Sequence, residues 1–202
     1  MKTVATLLIL LALPVAAQAQ FTPYGGQDPD WPCAQRLVPV LTPGSYWNGN
    51  VPTHTAWRDD DKIFPLVTDI VSRDTADADG LAKLNAYADT VPVQQRATAY
   101  PFLFGAIVDE TNDQRDLLIN RIKQLGLRQR RMGNVVANIS TQVDQVPAAD
   151  PRHTELAGER DFDIKAFQDT QHTMRYACDA PVAMERRLGV YARALQDKLK
   201  TK

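Results

Sequence analysis

Residues 102–146, FLFGAIVDETNDQRDLLINRIKQLGLRQRRMGNVVANISTQVDQV, decide the fold. Phe104, Ile107, Thr111, Gln114, Leu118, Ile122, Leu125, Gln129, Met132, Val136, Ile139, Val143 and Val146 step by three or four, and only Thr111, Gln114 and Gln129 among them are polar. A 3-4 stripe sustained over six heptads predicts one long helix with a narrow buried seam. At 1.5 Å per residue the helix is about 65 Å long. Gly105, Gly126 and Gly133 weaken it as an isolated rod.

Pro147, Ala148, Ala149, Asp150 and Pro151 then break the pattern, with Asp150 placed as an N-cap and Pro151 at the first helical position. Helical spacing resumes through Leu156, Arg160, Asp163 or Ile164, Phe167, Thr170, Met174 and Cys178, then through Val182, Met184, Leu188, Tyr191, Leu195 and Leu199. Pro181 is expected to kink or restart this second helix. A short turn between two long helices makes them antiparallel neighbours. A turn centred near Ala149 sets Cys178 beside Asn120.

Upstream, Asp59, Asp60 and Asp61 precede Ile63, Phe64, Leu66, Val67, Ile70 and Val71 at helical spacing, with the acids expected in the first turn. A second short helix is predicted over 77–88, with Leu81, Leu84 and Tyr87 or Ala88 facing inward, closed by Val91 and Pro92. The predicted fold is all-α: a long antiparallel, coiled-coil-like helical hairpin with two short helices and an extended N-terminal arm.

That arm is residues 20–58, which hold Pro23, Pro29, Pro32, Pro39, Pro43 and Pro52 and all three tryptophans, Trp31, Trp47 and Trp57. So many prolines exclude a regular helix, whereas the large apolar side chains require burial, so the arm is expected to lie on the helical domain, 59–202. Residues 1–19 read as a secretory signal, with Lys2 as the charged start, an apolar run from Val4 to Val15, and Ala17-Gln18-Ala19 before the cut. The expected compartment is the periplasm or the outside of the cell. No integral membrane segment is expected after cleavage. In an oxidising compartment Cys33 and Cys178 are expected to pair, closing a loop for which chain entropy contributes roughly 5 kcal/mol.

The chain has 23 Lys+Arg and 24 Asp+Glu and a sequence pI near 6.3. Removal of Lys2 leaves 22 basic against 24 acidic side chains. Such a balance gives no field to hold a polyanion, so no nucleic-acid partner is expected.

The chemical inventory is small: Ser45, Ser72 and Ser140, with His54, His153 and His172. No G-x-S-x-G, H-E-x-x-H, P-loop or dinucleotide motif occurs. Thr75-Ala-Asp77-Ala-Asp79-Gly80 copies part of a calcium loop, but Thr75 stands at its first position and Ala86 at its twelfth, where a carboxylate is needed. Asp109, Asp113 and Asp116, with Glu110 nearby, form a carboxylate stripe placed on the exposed side of the long helix. Arg121, Lys123, Arg128, Arg130 and Arg131 form a basic cluster further along. His172, Met174 and Cys178 are soft-ligand types, read as core and not as a copper site.

The function these features point to is an exported, non-catalytic accessory protein that presents the hairpin to an envelope protein. Its candidate partner surface is Trp31, Trp47, Trp57, Asp109, Asp113, Asp116, Arg128, Arg130 and Arg131. No cofactor or metal is assigned. A metal-binding or delivery protein is the alternative, and an enzyme with its site around Trp47, His54, Trp57 and 59–61 is the third reading. The seam can close within one chain or between two, so a homodimer is among the expected assemblies.

Overall fold

A computed structural model describes residues 28–52 and 55–200. The signal read over 1–19 and His54 lie outside the described residues. The fold is all-α, four helices forming a packed bundle: α1 (Ile63–Val71), α2 (Asp77–Thr90), α3 (Arg96–Gln145) and α4 (Pro151–Lys200).

Helix α1 starts where Asp60 Oδ1 accepts hydrogen bonds from the backbone N–H of Lys62 (2.9 Å) and Ile63 (3.0 Å). These bonds hold the Asp60 carboxyl below its usual range. The acids thus precede the helix and its first turn contains none, a correction to the sequence reading. Pro65 is tolerated as the third helical residue, and Ile63, Val67, Ile70 and Val71 form the buried face. In α2 the buried positions are Gly80, Leu84 and Ala88, one turn apart. The Tyr191 hydroxyl sits where a Gly80 side chain would be and donates to the Ile70 carbonyl at 2.9 Å.

The long helix begins six residues before the expected Phe102, at Arg96, and carries Pro101 inside it. Tertiary bonds account for the earlier start. Tyr100 is fully buried and donates to the Ala88 carbonyl (2.9 Å), while Arg96 donates to the carbonyls of Val91 (3.2 Å) and Lys198 (3.4 Å). Fifty residues give α3 a length of about 75 Å. All thirteen predicted seam positions are buried or half-buried. Around residues 103–108 α3 is buried on every side, because α1, α4 and the segment from Trp47 to Pro52 all pack there.

Asp150 caps α4 through the Arg152 N–H (2.9 Å), and the Arg152 side chain beside it holds the Asp150 carboxyl down to about 2. Helix α4 then returns antiparallel to α3. Thr170 meets Met132 (3.5 Å), Pro181 meets Arg115 (2.9 Å), and Lys198 meets Arg96. Helix α4 runs unbroken through Pro181, so the second half does not restart there. Close to the proline two outside donors reach the α4 backbone: Gln35 Nε2 donates to the Cys178 carbonyl and Arg115 Nη1 to that of Pro181.

Candidate functional site

Residues 28–52 and 55–58 lie along the helical pair, with short 3-10 turns at Pro43–Ser45 and Thr55–Asp59. Their course opposes that of α3. Asp28 pairs with Lys123 (2.6 Å) and Asp30 with Arg130 (2.6 Å), and Pro32 lies on Gly126. The Leu41 backbone exchanges two hydrogen bonds with the Asn112 side chain (2.9 and 3.0 Å), Trp47 stacks on Phe104 (5.1 Å), and the Pro52 carbonyl rests against Gly105. The course then reverses: Trp57 Nε1 donates to Asp109 (3.4 Å), and Arg58, stacked over the Trp57 ring, pairs with Asp113 at 2.6 Å. Two glycines that weaken α3 as an isolated rod are thus the points where this segment comes close, through the Pro52 carbonyl at Gly105 and the Pro32 ring at Gly126.

Cys33 and Cys178 form a disulfide that ties this segment to the middle of α4. Around it Trp31, Leu118, Ile119, Ile122, Met174 and Met184 make a small core of their own. The position agrees with the register expected from a turn near Ala149.

The three tryptophans are all buried, so they leave the candidate partner surface. Of the carboxylate stripe, Asp109 and Asp113 serve Trp57 and Arg58, while Asp116 accepts from Asn120 at 3.3 Å. The basic cluster divides likewise. Lys123 and Arg130 hold Asp28 and Asp30, and the Lys123 ammonium holds the Asp28 carboxyl below its usual range. Arg128 and Arg131 stay exposed.

Among the described residues no group of three or more His, Cys, Asp or Glu side chains is placed to hold a metal ion. Asp77 of the calcium-loop-like stretch binds Arg187 (2.6 Å). Met174 and Cys178 are buried, the latter in its disulfide, and His172 sits edge-on to Tyr176 at 4.9 Å. Met174 and Cys178 thus belong to the core, as read from the sequence, while His172 is exposed.

The residue that sequence reasoning missed is Arg115, only 1% exposed. Its guanidinium donates to the carbonyls of Pro181 (2.9 Å) and Val38 (2.7 Å) and pairs with Glu185 (2.8 Å), so one side chain ties arm, α3 and α4 together. Its Nε is buried with no hydrogen-bond partner in the protein. A cavity of about 70 Å³ adjoins it, lined by Trp31, Gln35, Val38, Pro181 and Glu185 among others. That volume suits a few water molecules, not an organic substrate, for which roughly 300 Å³ or more is usual. The available signal was a second ladder, Val108, Arg115, Ile119, Ile122 and Gly126, in which a charged residue occupies a buried step.

A wider cleft of about 730 Å³ runs beside the disulfide, lined by Pro32, Cys33, Gln129, Gln171, Met174 and Arg175 among others. It holds neither a histidine nor a free thiol. Among the described residues no helix is long and apolar enough to cross a membrane. Fold and site together define a disulfide-strapped all-α protein built around one pair of long helices. No protein-family model, characterised protein or solved structure matches the chain.

Proposed function

We propose that the protein is an exported, periplasmic, non-catalytic accessory protein that presents the distal half of its α3/α4 pair to an envelope protein. In this reading 1–19 is the export signal, 20–58 the arm, and the distal pair a coiled-coil-like projection of the helical domain. One observation carries it: between residues 127 and 173 only Ile139 and Val143 are buried, whereas the opposite end of both helices is packed by α1, α2 and the arm. About 35 Å of double helix therefore presents solvent-facing side chains. A disulfide between segments 145 residues apart suits an oxidising compartment. The arm has used up the tryptophans, Asp109, Asp113 and Arg130, which leaves the distal helices as the surface for a partner.

The test is photocrosslinking in the periplasm. A crosslinking residue goes at Asn134 or Asp161 on the distal half, or at Lys83 on α2, all three exposed. One dominant envelope protein captured from the distal positions and not from Lys83 is the expected result. Capture of nothing, or equal capture from Lys83, refutes the reading.

A further inference from the structure

Between residues 127 and 173 two large apolar side chains are left exposed, Val135 at 52% and Phe162 at 73%. The register of the pair sets them at the same level, on facing helices. Nine residues, two and a half turns, separate Val135 from Gly126, so Val135 points away from the flank that Pro32 covers. At about 100° per residue, Phe162 falls on the same uncovered flank as Val135.

Four charges frame this pair. Arg131 and Arg128 lie one and two turns toward the packed end, on the Val135 side of α3. Glu159 and Glu155 lie one and two turns toward the tip, on the Phe162 side of α4. All four are exposed, and none takes part in an ion pair among the described residues. Lys165 and Asp169, exposed on the Phe162 side toward the packed end, carry opposite charges that offset each other, so the flank is net basic at one end, apolar in the middle and net acidic at the other.

We infer that this flank binds a second copy of the chain, the two distal pairs packing antiparallel about a twofold axis at Val135 and Phe162. That axis sets Phe162 on Phe162 and Val135 on Val135. It brings Arg128 and Arg131 of one copy to the same end of the contact as Glu155 and Glu159 of the other. Parallel packing would gather four arginines at one end and four glutamates at the other, and like charges brought together disfavour it. The contact is isologous, so it closes at two copies. Two helices about 20 Å wide over about 35 Å offer about 700 Å² per copy, close to the usual share of a stable interface. The inference is independent of the envelope partner, which the arm-side flank remains free to meet.

Sedimentation velocity on the purified mature protein tests it. The wild type is expected to be a dimer that weakens with salt. Phe162→Asp is expected to be monomeric with unchanged helical circular dichroism, since the side chain it replaces is exposed. Arg131→Glu and Glu159→Arg are each expected to weaken the dimer by about tenfold or more, and the double variant to recover it. Should Phe162→Asp fail to fold, the charge-reversal set decides. A wild-type monomer at every concentration overturns the inference. So does a dimer that Phe162→Asp or Arg131→Glu leaves equally tight, or one that the double variant does not restore.

Discussion

The same substitution, glycine to alanine, is expected to have opposite signs at different places in the two long helices, and the difference reports where the arm runs. At Gly133 a new Cβ would meet only Phe167 Cε2 at 3.6 Å, and at Gly158 nothing within 4 Å. Both sites should show only the helix preference, a gain of about 0.5–1 kcal/mol. For a chain of this size that raises Tm by about 1–4 °C. At Gly105 the Cβ would stand 2.5 Å from the Pro52 carbonyl oxygen and 3.2 Å from Val51 Cγ1. The obstacle is backbone and cannot rotate away, so overpacking of about 1–3 kcal/mol opposes a propensity gain of about 1. The net expectation for Gly105→Ala is a loss of up to about 2 kcal/mol, read from urea midpoints at unchanged m-value. If Gly105→Ala stabilises as much as Gly133→Ala, residues 51–52 do not lie on α3 and the course of the arm is refuted.

Arg115→Met should cost about 3–5 kcal/mol in urea unfolding, because it leaves Glu185 and two carbonyls without their donor, whereas Arg115→Met combined with Glu185→Met should recover much of that loss. A single-variant cost below about 1 kcal/mol would show that the clasp is ornamental. Replacing both Cys33 and Cys178 by serine should destabilise by up to about 5 kcal/mol on the chain-entropy scale, and the same loss should follow reduction of the wild type. Burial raises the Tyr191 hydroxyl to about 12, so its contribution is full below the unfolded value of about 10 and lost as pH climbs from there through about 12. Tyr191→Phe should therefore flatten the alkaline limb of the stability curve, although it also loses the hydrogen bond to Ile70.

Local periodicity made the helices legible. The 3-4 stripe set the α3 seam, and Asp150-Pro151 marked the start of α4, because capping and burial at one helix face are local in sequence. Other features depend on distant partners. Pro181 suggested a restart from its neighbours alone, whereas α4 runs through it beside the Gln35 bond to the Cys178 carbonyl, and α3 starts before Phe102 where Tyr100 bonds Ala88. Those partners come from 12 to 143 residues away, beyond any local window. The ladder that holds Arg115 marks only a buried step, and the carbonyls that justify an arginine there come from Val38 in the arm and Pro181 in α4, far away in sequence.

The charge clusters show how such distance reshapes a functional reading. Charge runs on a long helix suggested an outside partner because nothing nearby in sequence compensates them. Much of the compensation comes from the arm: Asp28 and Asp30 answer Lys123 and Arg130, and Arg58 answers Asp113. A surface meant for a partner is better sought in what stays unpaired once these internal ties are removed. What stays on the distal flank includes Arg128 and Arg131 on one side of Val135 and Phe162 and Glu155 and Glu159 on the other, with the opposite charges of Lys165 and Asp169 offsetting each other near the ring. Exposed charges that merely keep a helix in solution have no reason to separate by sign around an exposed aromatic ring. A surface that must accept its own copy in one orientation and refuse it in the other does.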